Sequence, residues 1–141
     1  RGPDHVRTCL DHLHADRLGH GVRSAEDPAL LERVVSSGVA LEVCPVSNVA
    51  LGVYSDLTSV PLPELLSAGA TIALGADDPL LFGSRLAAQY ATMRAAHDLD
   101  DATLAELARM SVRASRAPSD LRTRLLAGID AWLAGPDEPS P

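Results

Sequence analysis

A chain of 141 residues with 46% hydrophobic side chains is long enough for one domain with a buried core and too apolar for a disordered segment. Its 12 basic and 19 acidic side chains leave a net charge of −7, which argues against nucleic acid recognition through a phosphate-neutralising surface. The two cysteines, Cys9 and Cys44, lack C-x-x-C spacing and are too few for a disulfide scaffold, and no apolar run approaches the ~18 residues of a membrane span.

The plain expectation from that cysteine usage is a reduced, cytoplasmic compartment. Aromatic residues are few, so the core must be built from Leu, Val, Ala and Ile. Arg1 stands where an initiator Met would be and the chain enters a helical pattern at once, the expectation for a fragment, a processed piece or an incomplete reading frame.

In chain order, Pro3 suits a first helical turn, and Val6, Cys9, Leu10 and Leu13 come next at helical spacing. A short run, Asp16 to Gly19, ends at His20-Gly21. A second helix has Asp27 as its N-cap, Pro28 at its first position, Leu30, Leu31, Val34 and Val35 along one side, and Gly38 just past its end. Val39 to Cys44 reads as a buried strand stopped by Pro45, with a loop holding Ser47, Asn48 and Gly52 after it. Leu62 to Ala68 is a short helix, and Ala70 to Gly75 a second clear strand with Asp77-Asp78-Pro79 directly after it. Three helices complete the pattern: Ser84 to His97, Asp101 to Arg113, and Pro118 to Leu133. Residues 1–134 form one unit, and the Pro-rich tail, 135–141, is expected to be mobile.

Strands alternating with helices predict an α/β fold with a parallel sheet. Three strands could be a small open sheet or the last part of a (β/α)8 barrel, and periodicity does not choose between them. In both cases the strands' C-terminal ends are the place for a site, because the βα loops converge there. Three polar clusters occupy those ends: His20, the Cys44 to Asn48 segment, and Asp77-Asp78. Each has a plain structural reading. His20 can be a loop residue, Ser47-Asn48 reads as ordinary turn chemistry, and Asp-Asp-Pro can cap the next helix. The other histidines, His5, His12, His14 and His97, fall on helical patterns and read as surface or interface residues. Two adjacent carboxylates at a strand mouth are harder to dismiss. Like charges raise each other's proton affinity unless a cation is present, and Asp with His suits zinc or a related ion.

Three segments resemble motifs of the adenosine deaminase family. Arg17-Leu18-Gly19-His20-Gly21 is similar to its R-[IVL]-G-H-G motif. The run from Leu41 to Asn48 is similar to E-x-C-P-x-S-N, and Gly75 to Phe82 to S-x-[ND]-[ST]-D-D-P-x-[LIV]-F. Order and gaps agree, and the likeness extends through the Ser84–Tyr90 stretch and the last helix. It implies the C-terminal portion of a TIM (β/α)8 barrel, about three βα units plus terminal helices, from an enzyme with one catalytic Zn2+. Under the resemblance, His20 assists deprotonation and orientation of the zinc-bound water, Asp77 ligates the metal, and Asp78 hydrogen-bonds the purine ring nitrogen N7. The implied reaction is hydrolytic loss of the 6-amino group of a purine nucleoside or base, of the adenosine-to-inosine type.

The family's H-x-H pair and H-A-G-E motif, which supply three zinc histidines and a proton-donating glutamate, are not in this sequence. Gly2 to Val6 resembles the family's segment immediately after H-A-G-E. Gly75 replaces the usual serine, and Ser111 to Arg116 departs from the family's N-x-x-x-x-S-F-like sequence. The Cys-Pro-Val-Ser-Asn form occurs in adenine and modified-nucleoside deaminases too, which leaves the purine open. The expectation is that the chain alone is inactive. It would need the missing part of a barrel or a homo-oligomer as partner, or else serve as a truncated interaction module.

Overall fold

The computed structural model describes residues 2–135. Of the tail expected to be mobile, 135–141, residues 136–141 lie outside the described residues. Among the described residues, eight α-helices and three strands occur in a mostly alternating order that ends in four helices. Helix α1 (Pro3–His12) begins with proline at its first position, where the missing N–H costs nothing. It leads to β1 (Arg17–Gly19), a 3-10 turn over Val22–Glu26, and α2 (Pro28–Ser37). The Asp27 side chain caps α2 by accepting the Leu30 N–H at 3.1 Å. It also pairs with the guanidinium of Arg7, tying α1 to α2.

Strand β2 (Ala40–Val43) and a short helix, α3 (Pro45–Ala50), come next. A 3-10 turn (Leu57–Ser59) and α4 (Leu62–Ser67) then lead to β3 (Thr71–Leu74). The chain ends with α5 (Pro79–Phe82), α6 (Leu86–His97), α7 (Asp101–Arg113) and α8 (Ser119–Ala134).

The sheet has the order β1-β2-β3, all parallel, with Leu18 opposite Leu41 and Leu41 opposite Ile72. Strand alternation therefore puts Leu18, Leu41, Val43, Ile72 and Leu74 on one face, where all are buried. They form a single core with Val22, Leu30, Val34, Leu62, Leu65, Met93 and Leu107 from the turns and helices. The other face carries Arg17, Gly19, Ala40, Glu42, Thr71 and Ala73, small or charged residues.

Helix α7 runs beside the free edge of β3, and the Ser111 hydroxyl accepts the Leu74 N–H at 3.2 Å. The residues just past its C-terminus reach β1 and the residue before it. The Arg17 guanidinium donates to Glu42 at 2.6 Å and to the Ala114 carbonyl, while Arg116 reaches Asp16 at 3.0 Å. Ser111 thus meets one N–H on the outer edge of β3, whereas the outer edge of β1 has no strand beside it among the described residues. None of the described helices is long and apolar enough to cross a membrane.

Some local expectations shift. The predicted loop after β2 is helix α3, because Pro45 supplies a ready first turn directly after the strand. Ser84 and Arg85 stand outside α6, which begins at Leu86 after an extended Arg85. His14 is exposed, as expected, but lies past the end of α1 in a left-handed conformation, and His97 ends α6 with a buried Nε2 that has no partner among the described residues.

Candidate active site

Each strand end places its polar residue by a different local device. The sheet ladder runs past β1 and β3: His20 N donates to the Glu42 carbonyl at 2.9 Å, and Gly75 N to the Val43 carbonyl at 2.8 Å. Immediately beyond, the backbone breaks direction. His20 has φ 59° and Asp77 φ 57°, left-handed values that are uncommon for non-glycine residues and cluster at functional positions. Gly21, at φ 66°, completes the first turn. A Cβ there would meet Leu41 Cδ2 at 2.6 Å, so any other residue would have to displace that methyl and adopt a left-handed backbone that glycine takes freely.

These turns bring His20 and Asp77 together across the end of β2. His20 Nε2 stands 3.4 Å from Asp77 Oδ2. Helix α3 supplies a partner to each. The Ser47 hydroxyl donates to Asp77 Oδ2 at 2.5 Å, and Asn48 Oδ1 lies 2.8 Å from His20 Nδ1. Ser47 and Asn48 are buried, while His20 and Asp77 remain part-exposed at 39% and 34% of their side chains, so the two outer side chains rest on buried partners.

Asp78 does not join this pair through a side-chain hydrogen bond. Its Oδ1 caps α5, accepting Leu80 N at 2.9 Å and Leu81 N at 3.0 Å. A cavity of about 480 Å³ opens beside β1, lined by His20, Gly21, Arg23, Asn48, Leu51 and Val53 among others, and neither Asp77 nor Asp78 belongs to its lining.

Cys44, at the head of α3, is buried. That burial first, and the nearby Asp77 charge second, push its thiol above the ordinary value. It therefore behaves as a neutral packing group. Its sulfur lies 3.1 Å from where a Cβ on Gly75, two residues before the acidic pair, would sit.

The plain reading of Ser47 and Asn48 as turn chemistry misses their part. Both sit one turn into a helix that starts at the strand end, and Pro45 was the available signal for that helix. Gln89 and Ser84 were also missed. Fully buried Gln89 accepts the Val46 N–H at 3.3 Å and donates to Ser84 Oγ at 3.0 Å, joining α3 to the segment after Asp78. Nothing in the local sequence separates such a glutamine from a surface one.

The sequence profile described as adenosine deaminase matches residues 1–132. The chain belongs to the adenosine deaminase family. It is 63% identical over 134 residues to a Streptomyces virginiae protein named for adenosine/adenine deamination, covering 95% of this chain and 40% of that protein. It is also 43% identical to an adenine deaminase of Cupriavidus necator, covering 99% of this chain and 40% of that one. A crystal structure of adenine deaminase from Arthrobacter aurescens superposes with a TM-score of 0.91 at 32% identity, covering 96% of this chain and 41% of the other. The chain thus spans about 40% of the length of the relatives it matches, and its α/β architecture is that of three βα units and the terminal helices of the family's TIM barrel. A more distant amidohydrolase from Burkholderia ambifaria, at 21% identity and a TM-score of 0.80, shares the fold and was solved with bound Zn.

Proposed function

We propose that this chain carries one part of the active site of a zinc-dependent deaminase that hydrolyses the 6-amino group of a purine base or nucleoside. The single observation that carries the reading is the 3.4 Å approach of His20 to Asp77 at the mouth of a parallel sheet, with each partner held by a buried side chain of α3. Relatives named for adenine or adenosine/adenine deamination support the substrate class.

The residues fit zinc in part. Asp77 offers a carboxylate held by one hydroxyl and open on its outer side, a ligand type that zinc accepts. No group of three or more His, Cys, Asp or Glu converges among the described residues, so Asp77 would be one ligand of a set completed from elsewhere in the barrel. Bound zinc lowers the pKa of water from 15.7 to about 7, which makes hydroxide available at neutral pH.

The chain's own groups have separate tasks in this reading. Ser47 orients the Asp77 carboxylate. His20 Nε2, within 3.4 Å of that carboxylate, holds or accepts a proton beside the attacking oxygen. Asp78 keeps one oxygen on the amides of α5, and its other oxygen serves purine N7; two acceptors meet there, so a proton must be shared between them.

The test is a chimaera in which this chain replaces the matching 40% of the Streptomyces virginiae relative. The expected result is zinc-dependent ammonia release from adenine or adenosine, abolished by Asp77→Ala. A folded chimaera that binds zinc and releases no ammonia from either compound would refute the reading.

A further inference from the structure

We propose that Gln89 is a positioning residue: from α6, its buried amide fixes the spacing between α3 and the segment after Asp78, and so keeps the Ser47 hydroxyl on the Asp77 carboxylate. Helix α3 begins without the usual devices. Its N-cap, Cys44, makes no side-chain cap and Pro45 has no N–H, so Val46 carries the first backbone N–H of the helix. Gln89 Oε1 accepts that N–H at 3.3 Å, while Gln89 Nε2 donates to Ser84 Oγ at 3.0 Å. A backbone N–H only donates, so the amide atom facing Val46 is the oxygen, and the nitrogen is left for the hydroxyl.

One side chain thus ties the connection after β2 to the connection after β3, the same two that the Ser47–Asp77 hydrogen bond joins at 2.5 Å. The two ties differ in setting. The Ser47 bond ends on a part-exposed carboxylate, whereas Gln89 is fully buried and Ser84 is buried with it. Hydrogen bonds shielded from water hold their geometry without competition. Gln89 and Met93 are the buried residues of α6, one turn apart, and Met93 packs into the apolar core. An amide in such a place costs free energy unless its hydrogen bonds are made, and an apolar side chain would fill the space without that cost. The amide is accounted for by the two segments it joins, and the residue it holds on α3 stands directly before Ser47.

The spacing follows from this geometry alone. Its use, an oriented carboxylate for the metal, rests on the deaminase reading. The test therefore avoids both turnover and metal: the Asp77 carboxyl carbon NMR resonance and hydrogen exchange of the Val46 amide, in the full chain at neutral pH. Ser47→Ala supplies the resonance of an Asp77 without its hydroxyl partner. Gln89→Met keeps the length of the side chain and neither hydrogen bond. It is expected to move the Asp77 resonance toward the Ser47→Ala position and to speed Val46 exchange about tenfold, the loss of one buried hydrogen bond, while the amides of β2 and β3 keep wild-type rates. Gln89→Glu is expected to restore both readouts, since one carboxyl oxygen accepts the Val46 N–H and the other meets Ser84 in either protonation state. An Asp77 resonance unmoved in Gln89→Met overturns the proposal. So does a shift in Gln89→Glu as large as in Gln89→Met, the result of packing alone. Should Gln89→Met fail to fold, Ser84→Ala cuts the tie at its other end; the same shift is expected, and an unmoved resonance again overturns the proposal. Failure of the chimaera to deaminate would leave these spectra unaffected.

Discussion

The imidazole of His20 and the carboxylate of Asp77 approach to 3.4 Å although a whole strand, β2, lies between the strands that carry them. The helix after that middle strand closes the gap. Ser47 and Asn48, adjacent on α3, bond one partner each. The site is therefore assembled by the connection after β2 as much as by the strands on either side.

Removing the Ser47 hydroxyl should weaken the site without unfolding it. In the chimaera, Ser47→Ala is expected to lower zinc affinity or deamination about 10- to 100-fold, the usual loss when a ligand's supporting hydrogen bond is deleted. Ser47→Thr, which restores a hydroxyl, should recover most of it. Zinc titration and ammonia release measure both effects, and equal loss in the two variants would point to packing in place of orientation.

The chain alone should release no ammonia from adenine or adenosine at any zinc concentration, because the described residues bring no three metal-ligating side chains together. Zinc binding should be weak and should vanish in Asp77→Ala. Isothermal titration with the metal and a coupled ammonia assay check these expectations, and turnover by the isolated chain would show that a sufficient ligand set exists within it.

Gly75 and Cys44 should behave as a coupled pair. Gly75→Ala places a methyl 3.1 Å from the Cys44 sulfur, tight enough to force a local shift. A destabilisation of about 1–3 kcal/mol is expected from overpacking, and much of it should disappear when Cys44→Ala makes room. Urea unfolding of the two single variants and the double variant gives the coupling energy; strict additivity would place the strain elsewhere.

Leu41 lies fully buried at the centre of the three strands. Leu41→Ala leaves a cavity that the surrounding strands and helices cannot fill, and should cost about 2–5 kcal/mol. The same substitution at the exposed Leu80 should leave stability within about 0.5 kcal/mol.

Acid should loosen the α1–α2 contact. The Leu30 backbone N–H first, and Arg7 second, hold the Asp27 carboxyl below the usual carboxylate range. A depressed folded-state pKa contributes stability that is present above the unfolded value and lost as pH falls through the folded one. Circular dichroism melts from neutral pH into the acid range should show wild type losing this contribution at the acid end. Asp27→Asn, which keeps a cap but has no charge to lose, should show a shallower fall over that window.

The sequence alone determined the alternation of strands and helices, because apolar runs of strand length bounded by proline and glycine have few other uses, and it located the polar clusters at the strand ends. It also carried the family, through motifs whose order and gaps survive in this chain. What it did not determine was which polar residues act on one another. Ser47, Asn48 and Gln89 are ordinary residues locally; their buried contacts exist because parallel pairing of β2 between β1 and β3 lays α3 across both outer strand ends. Such contacts join residues far apart in the chain, and the physical information for them resides in the packing of the sheet against its helices rather than in any local pattern.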